Sequence, residues 1–232
     1  MRHRFLPLLR LALLAVLAAP ALAAAPAEEP GFDIGAGNLL AVLRESSGAN
    51  KQDESLEPYG KLNAALEDGS RIEIETSWYH YLGDMHIRLV FEGPGNLQSA
   101  SPQDLARLHL QPEQALELAI ANLRRMYGQP AAQPWSGGLM QVQGGAPDFN
   151  SSYFLDRAFW LEQQARHPEG LVVAVPRRGG LVYAPLADEQ AVDSLRFSAT
   201  ALFASSHRSR VSSALYLFKD NRWSVFQPPM AP

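Results

Sequence analysis

Residues 171–184 read Leu171-Val-Val-Ala-Val-Pro-Arg177-Arg178-Gly-Gly-Leu181-Val-Tyr-Ala184, and this stretch decides the fold. Five contiguous apolar residues followed by a proline describe a short strand with no polar face, the pattern of a buried strand. Pro176 has no N–H to give a neighbouring strand and fixes its own φ, so the strand stops at a defined place. Arg177-Arg178-Gly179-Gly180 then forms a tight turn, and Leu181 to Ala184 returns as the second arm of a hairpin.

Outward from this hairpin the elements alternate. Asp188 caps a helix whose apolar stripe is Ala191, Val192, Leu195, Ala199, Leu202 and Phe203. A second hairpin follows, Ala214 to Lys219 and Arg222 to Phe226, turning at Asp220-Asn221. On the upstream side a helix is predicted from about Ser152 to His167, ending before Pro168. Before it lies a Gly/Pro/Gln-rich loop from Gln129 to Pro147, with a short strand over 139–142. Pro112 opens a long helix carrying Ala115, Leu116, Ala119, Ile120 and Leu123 at three-to-four spacing, closed by Gly128. Ser101 caps a shorter one running to Leu108. Met85 to Phe91 alternates with Met85, Ile87, Leu89 and Phe91 inward, and Arg71 to Thr76 alternates with Ile72 and Ile74 on one face. The expected fold class is α+β, a mostly antiparallel sheet built from hairpins with helices packed on one face.

The first 23 residues read as a cleavable signal peptide: a basic start at Arg2 and Arg4, an apolar run from Phe5 to Ala19, and small residues at Ala21 and Ala23. That run is short of the ~20 apolar residues a spanning helix needs. A periplasmic or secreted destination follows, with no integral membrane segment after cleavage. Residues 24–60 are expected to be a flexible arm, with Leu39-Leu-Ala-Val-Leu-Arg44 as a short helix or loosely docked piece. A single domain over 61–227 and a tail at 228–232 complete the organisation. Loss of Arg2, Arg4 and Arg10 with the leader moves the formal charge from −4 to −7, which speaks against nucleic acid as a partner. The chain has no cysteine, which removes thiolate metal sites and disulfides from consideration.

Several segments resemble the YtpQ-like family of uncharacterised bacterial proteins. They are Gly83-Asp84-Met-His-Ile-Arg-Leu-Val, Ser101-Pro-Gln-Asp-Leu-Ala, Leu116-Glu-Leu-Ala-Ile-Ala-Asn-Leu-Arg-Arg, and Leu171-Val-Val-Ala-Val-Pro-Arg-Arg. The resemblance covers about Gly83 to Phe226 and implies a fold but no reaction. Where the family often places an acidic residue after the turn arginine, this chain has Gly179.

Candidate chemistry is sparse. His80 and His86 flank Gly83-Asp84 and with Asp84 have the composition of a two-histidine, one-carboxylate site. The alternation places His86 on a solvent face, however, so no metal and no cofactor are expected. Glu73 and Glu75 share a strand face in the manner of a solvated edge. No Gly-x-Ser-x-Gly elbow is present. Arg177 and Arg178, at a hairpin tip with two glycines, suit an anion held by guanidinium forks and free N–H groups. Trp78, Tyr79 and Tyr81 form an aromatic cluster with the composition of a contact surface or of core. The expected function is therefore a non-catalytic module binding a protein or a small anion through Arg177, Arg178, Trp78, Tyr79 and Tyr81. A periplasmic hydrolase with a dispersed active site is the alternative.

Overall fold

The computed structural model describes residues 33–66 and 68–230. The expected signal peptide and the linker that follows it lie outside the described residues. In chain order the strands are β1 (Leu39–Glu45), β2 (Glu57–Pro58), β3 (Lys61–Ala65), β4 (Arg71–Glu75), β5 (Trp78–His80), β6 (Met85–Gly93) and β7 (Asn96–Ser99). Helices α1 (Pro102–Arg107) and α2 (Pro112–Tyr127) follow, then β8 (Ala131–Pro134) and β9 (Met140–Gln143). A 3-10 segment (Pro147–Leu155) leads into α3 (Arg157–Arg166), and β10 (Leu171–Arg177), β11 (Gly180–Pro185), α4 (Glu189–Ser205), β12 (Leu215–Lys219) and β13 (Arg222–Gln227) close the chain. The fold is α+β with mostly antiparallel sheets.

Two sheets carry it. The larger runs β13-β12-β10-β11-β9-β8. Its centre is the hairpin on which the sequence turns: β10 pairs antiparallel with β11 on one side and β12 on the other. A strand between two partners and between two layers must be apolar throughout, and Leu171 to Pro176 is buried at every position. Helix α4, capped by Asp188 accepting the Ala191 N–H at 3.0 Å, covers one face through Ala191, Leu195 and Ala199. On the other face Tyr183, Tyr216 and Phe218 meet Trp160 of α3 and Phe154 of the 3-10 segment. Helices thus lie on both faces of this sheet, α3 opposite α4.

The second sheet runs β1-β6-β5-β2, with β7 continuing along the edge of β6 that β5 leaves free. Here the expectation of a flexible arm is corrected. Residues 39–45 are neither helix nor loose arm but a strand in full register with β6, from Leu39 opposite Phe91 to Glu45 opposite Met85. Leu39, Leu40 and Leu43 are completely buried. The core therefore begins before residue 40 and not at 61, and β2 adds Glu57–Pro58 to the same sheet. The expected tail is also partly fixed, since the Met230 N–H donates to Ser213 Oγ at 2.9 Å.

The β3–β4 ribbon leaves uncovered the apolar face on which Ile72 and Ile74 alternate. It pairs only with itself, and Ile72 and Ile74 stay about two-fifths exposed. Lys61 makes ion pairs there with Glu73 (3.0 Å) and Glu75 (3.9 Å), so that carboxylate pair is a solvated edge. The long predicted helix over 152–167 is divided: the chain stays 3-10 through Leu155, and Asp156 caps a shorter α3 by accepting the Phe159 N–H.

Candidate functional site

The candidate site forms where the ends of two buried strands meet. Strand β1 ends its apolar run at Arg44, and β10 ends its own at Arg177 with Arg178 following in the turn. Arg44 and Arg178 line one cavity of about 430 Å³ with Val42, Glu92, Asn96, Asp148 and Phe149. The two arginines are 134 positions apart in sequence, and the sheets bring them together.

The turn differs from the one read in the sequence. Its backbone is clamped: the Arg178 N–H donates to Ser209 O at 3.0 Å, and the Arg178 carbonyl accepts the Ser151 N–H at 2.9 Å. The Arg178 N–H, expected to be free, is therefore spent on the 207–209 segment. Gly179 and Gly180 do not sit in the left-handed region. They are small for lack of room, since a Cβ on Gly180 would lie 2.9 Å from the Arg177 Cγ and one on Gly179 would lie 3.3 Å from the Pro147 carbonyl oxygen. Arg177 and Arg178 also part company: Arg177 is exposed and outside the cavity lining, while Arg178 is half-buried and lines it.

The cavity lining carries two guanidinium groups, Arg44 and Arg178, and two carboxylates, Glu92 and Asp148. The Arg178 Nε is buried and has no hydrogen-bond partner. Arg44 donates through Nη1 to the Leu43 carbonyl at 2.7 Å. Burial first, then the nearby Arg178 and Arg88 guanidinium groups, push the Arg44 pKa down to about 10, with only Asp148 opposing them. Among the described residues, Arg44, Arg88 and Arg178 form no ion pair. Glu92, on the cavity wall, accepts the Tyr127 hydroxyl. A buried guanidinium donor without a partner costs free energy on the order of 1–3 kcal/mol, more for a charged group. A hydrogen-bond acceptor reaching Nε would recover it.

The same sheet face continues into the histidines. His86 lies opposite Arg44 on β1 and opposite His80 on β5, while Arg88 lies opposite Trp78. The expected solvent position of His86 is wrong: it is 1% exposed, because Tyr59 stacks on His80 and lies tilted over His86, and Trp78 stacks on His86. Arg88 Nε donates to His86 Nε2 at 2.9 Å. A guanidinium has only donors, so His86 Nε2 is unprotonated and its proton sits on Nδ1, facing Ser46 Oγ at 3.0 Å. Burial, with Arg88 and His80, pulls the His86 pKa down to about 3, which keeps the ring neutral. His86 thus donates to Ser46 and cannot act as the base that would activate it. Ser46 Oγ also lies 3.5 Å from His80 Nδ1, so this serine bridges the two histidines. Asp84 does not join the histidines. Its carboxylate turns the other way, to Ser212, Ser213 and Tyr216. No group of three potential metal ligands occurs among the described residues.

The aromatic cluster divides as well. Tyr79 and Tyr81 are core, 7% and 5% exposed, and the Tyr81 ring meets Phe154 edge-on. Trp78 is half-buried with the Arg88 guanidinium 3.5 Å over its ring and its Nε1–H donating to Ser99 Oγ at 3.2 Å. Tyr81 nonetheless borders a cavity, together with Glu54, Leu116 and Ile120. The sequence reading identified Arg178 and missed Arg44. The signal was present: an arginine directly closing a fully apolar strand, as at Val175-Pro-Arg177, recurs at Val42-Leu43-Arg44. Comparison of the chain with family models, curated proteins and solved structures finds no match.

Proposed function

We propose that this chain is an exported binding module for a small anion, held between Arg44 and Arg178. The reading rests on one observation above the others: Arg178, whose buried Nε has no hydrogen-bond partner, lines a cavity together with a second arginine that forms no ion pair among the described residues. Phosphate or carboxylate would accept from both guanidinium groups, and Asn96 offers an amide beside them. The leader-like start of the sequence supports export. Kinship with the YtpQ-like family is proposed on the four segments quoted above and lends no reaction.

Titration of the full chain with inorganic phosphate, and separately with acetate and citrate, tests the reading by calorimetry. At low salt at least one of these anions is expected to bind. Arg44→Ala and Arg178→Ala should each weaken it by about 1.5–3 kcal/mol, on the order of 10- to 100-fold, as expected for a charged hydrogen bond lost. Arg177→Ala should leave affinity within about twofold, because its side chain lies outside the cavity lining. Equal losses from Arg177→Ala and Arg178→Ala, or binding that survives both cavity variants, would remove the cavity as the site.

A further inference from the structure

A second cavity lies apart from the arginine one. It is a cleft of about 560 Å³ along one side of α2, closed by the loop at 54–56 and by the start of α3. That volume falls in the range of small-molecule sites. Its floor is apolar: Leu56, Leu116, Ile120 and the ring of Tyr81. Leu116 and Ile120 are partly buried and packed on the main core, so they form a fixed surface.

The charges around this floor do not cancel. Four carboxylates line the cleft, Glu54, Glu113, Glu117 and Asp156, against two guanidinium groups, Arg124 and Arg157. Asp156 is held by Arg124 in a two-point pair, and Glu54 is held by Arg157 and by the Tyr81 hydroxyl at 3.3 Å. Both arginines are thereby consumed. Glu113 and Glu117 remain, exposed and without an ion pair among the described residues. They stand four residues apart on one face of α2, a like-charge spacing that costs a helix a few tenths of a kcal/mol. A cation between them would remove that cost.

We propose that this cleft binds an organic cation with an apolar body, its ammonium group at Glu113 and Glu117 and its apolar part on Leu116 and Ile120. The charge pattern selects against anions, so the ligand class is opposite to that of the arginine cavity and the two sites are independent. A neutral molecule of the same shape gains the floor but not the carboxylates.

The test is a titration of the full chain with 2-phenylethylammonium, followed by amide chemical shifts. 2-Phenylethanol and 3-phenylpropionate serve as neutral and anionic comparators. The ammonium compound is expected to shift α2 resonances around Leu116 and Ile120 and to bind about five- to tenfold tighter than the alcohol, the size of one or two partly exposed ion pairs. The carboxylate should be weakest. Glu113→Gln combined with Glu117→Gln, at exposed positions where folding is insensitive, should remove the preference for the amine. Ala121→Trp, which fills the cleft from an exposed helix position, should abolish binding of all three. Equal affinity for amine and alcohol, an amine preference surviving the double glutamine variant, shifts located elsewhere, or no binding by any of the three would each overturn the proposal. Phosphate binding at Arg44 and Arg178 should be unchanged in these variants, so the outcome does not depend on that site.

Discussion

Replacing Trp160 with alanine is expected to destabilise the fold by about 3–5 kcal/mol, the usual cost of truncating a buried large aromatic. Against a typical domain stability of about 5–15 kcal/mol this is a major loss. Trp160 is fully buried and makes ring contacts with Phe154, Phe159, Tyr183, Phe218 and Trp223. It joins five elements, because these rings come from the 3-10 segment, from α3 itself and from strands β11, β12 and β13. Its Nε1–H donates to the carbonyls of Tyr153 and Phe154, both at 3.0 Å, and so fixes the end of the 3-10 segment. Alanine therefore opens a cavity and strips two carbonyls of their donor together. Phenylalanine removes the donor but keeps most of the ring, so Trp160→Phe should cost about 1–2 kcal/mol. Urea unfolding followed by circular dichroism measures both. If the alanine variant loses no more than the phenylalanine variant, packing is not what Trp160 contributes.

The consequence reaches the arginine cavity. Asp148 and Phe149, two of its walls, stand at the other end of the 3-10 segment that Trp160 secures. Anion affinity should survive Trp160→Phe and fall in Trp160→Ala even below the unfolding transition. Stability and binding are thus coupled through one irregular segment and not through the strands that carry the arginines.

That segment was also the least legible part of the sequence. The hairpins could be read because turn residues separate runs of suitable period: Arg177-Arg-Gly-Gly and Asp220-Asn221 sit where the chain reverses. Helix α2 could be read because Pro112 opens it and Gly128, at φ 80°, closes it. The stretch 147–155 has no period of its own. Its residues Phe149, Tyr153 and Phe154 are buried by what surrounds them, which is tertiary information. Strand β1 failed for another reason. Leu39 to Leu43 is apolar at every position because both faces are covered, and a continuous apolar run does not distinguish strand from helix. With β1 went Arg44, and with Arg44 went half of the proposed site. His86 was misplaced because alternation marks which residues face the core, and here the opposite face is also covered, by Tyr59 and Trp78.

The second large effect is expected at Asp84, a buried carboxylate that ties the two sheets together. It sits at the β5–β6 turn and accepts from Ser212 Oγ, from the Tyr216 hydroxyl at 3.1 Å and from the Ser213 N–H at 3.3 Å. The approach is close enough to require Gly83 beside it: at φ +61°, with a Cβ that would fall 2.6 Å from the Tyr216 oxygen, no other residue fits without displacement. Asp84→Ala leaves up to three buried donors without an acceptor and should cost about 2–4 kcal/mol. Asp84→Asn keeps one acceptor but turns an amide N–H₂ toward the Ser213 N–H or the hydroxyls, and should cost less. Burial raises the Asp84 pKa above its ordinary value and outweighs the three donors, which pull it down. The sign of the pH dependence follows. A carboxyl whose folded pKa is raised binds its proton more tightly in the native state, so its stabilising contribution is complete below the unfolded pKa of about 3.9. That contribution is lost as pH rises through the higher folded value. Asparagine does not titrate, so the stability difference between wild type and Asp84→Asn isolates this group from every other carboxylate. Urea unfolding at pH 4.5 and pH 7.5 should find wild type further ahead of the asparagine variant at the lower pH. A constant gap would mean that the two effects balance; a gap that widens toward pH 7.5 would mean that Ser212, Ser213 and Tyr216 stabilise the carboxylate more than burial penalises it. Asp84 would then be held as a permanent anion at the junction of the sheets.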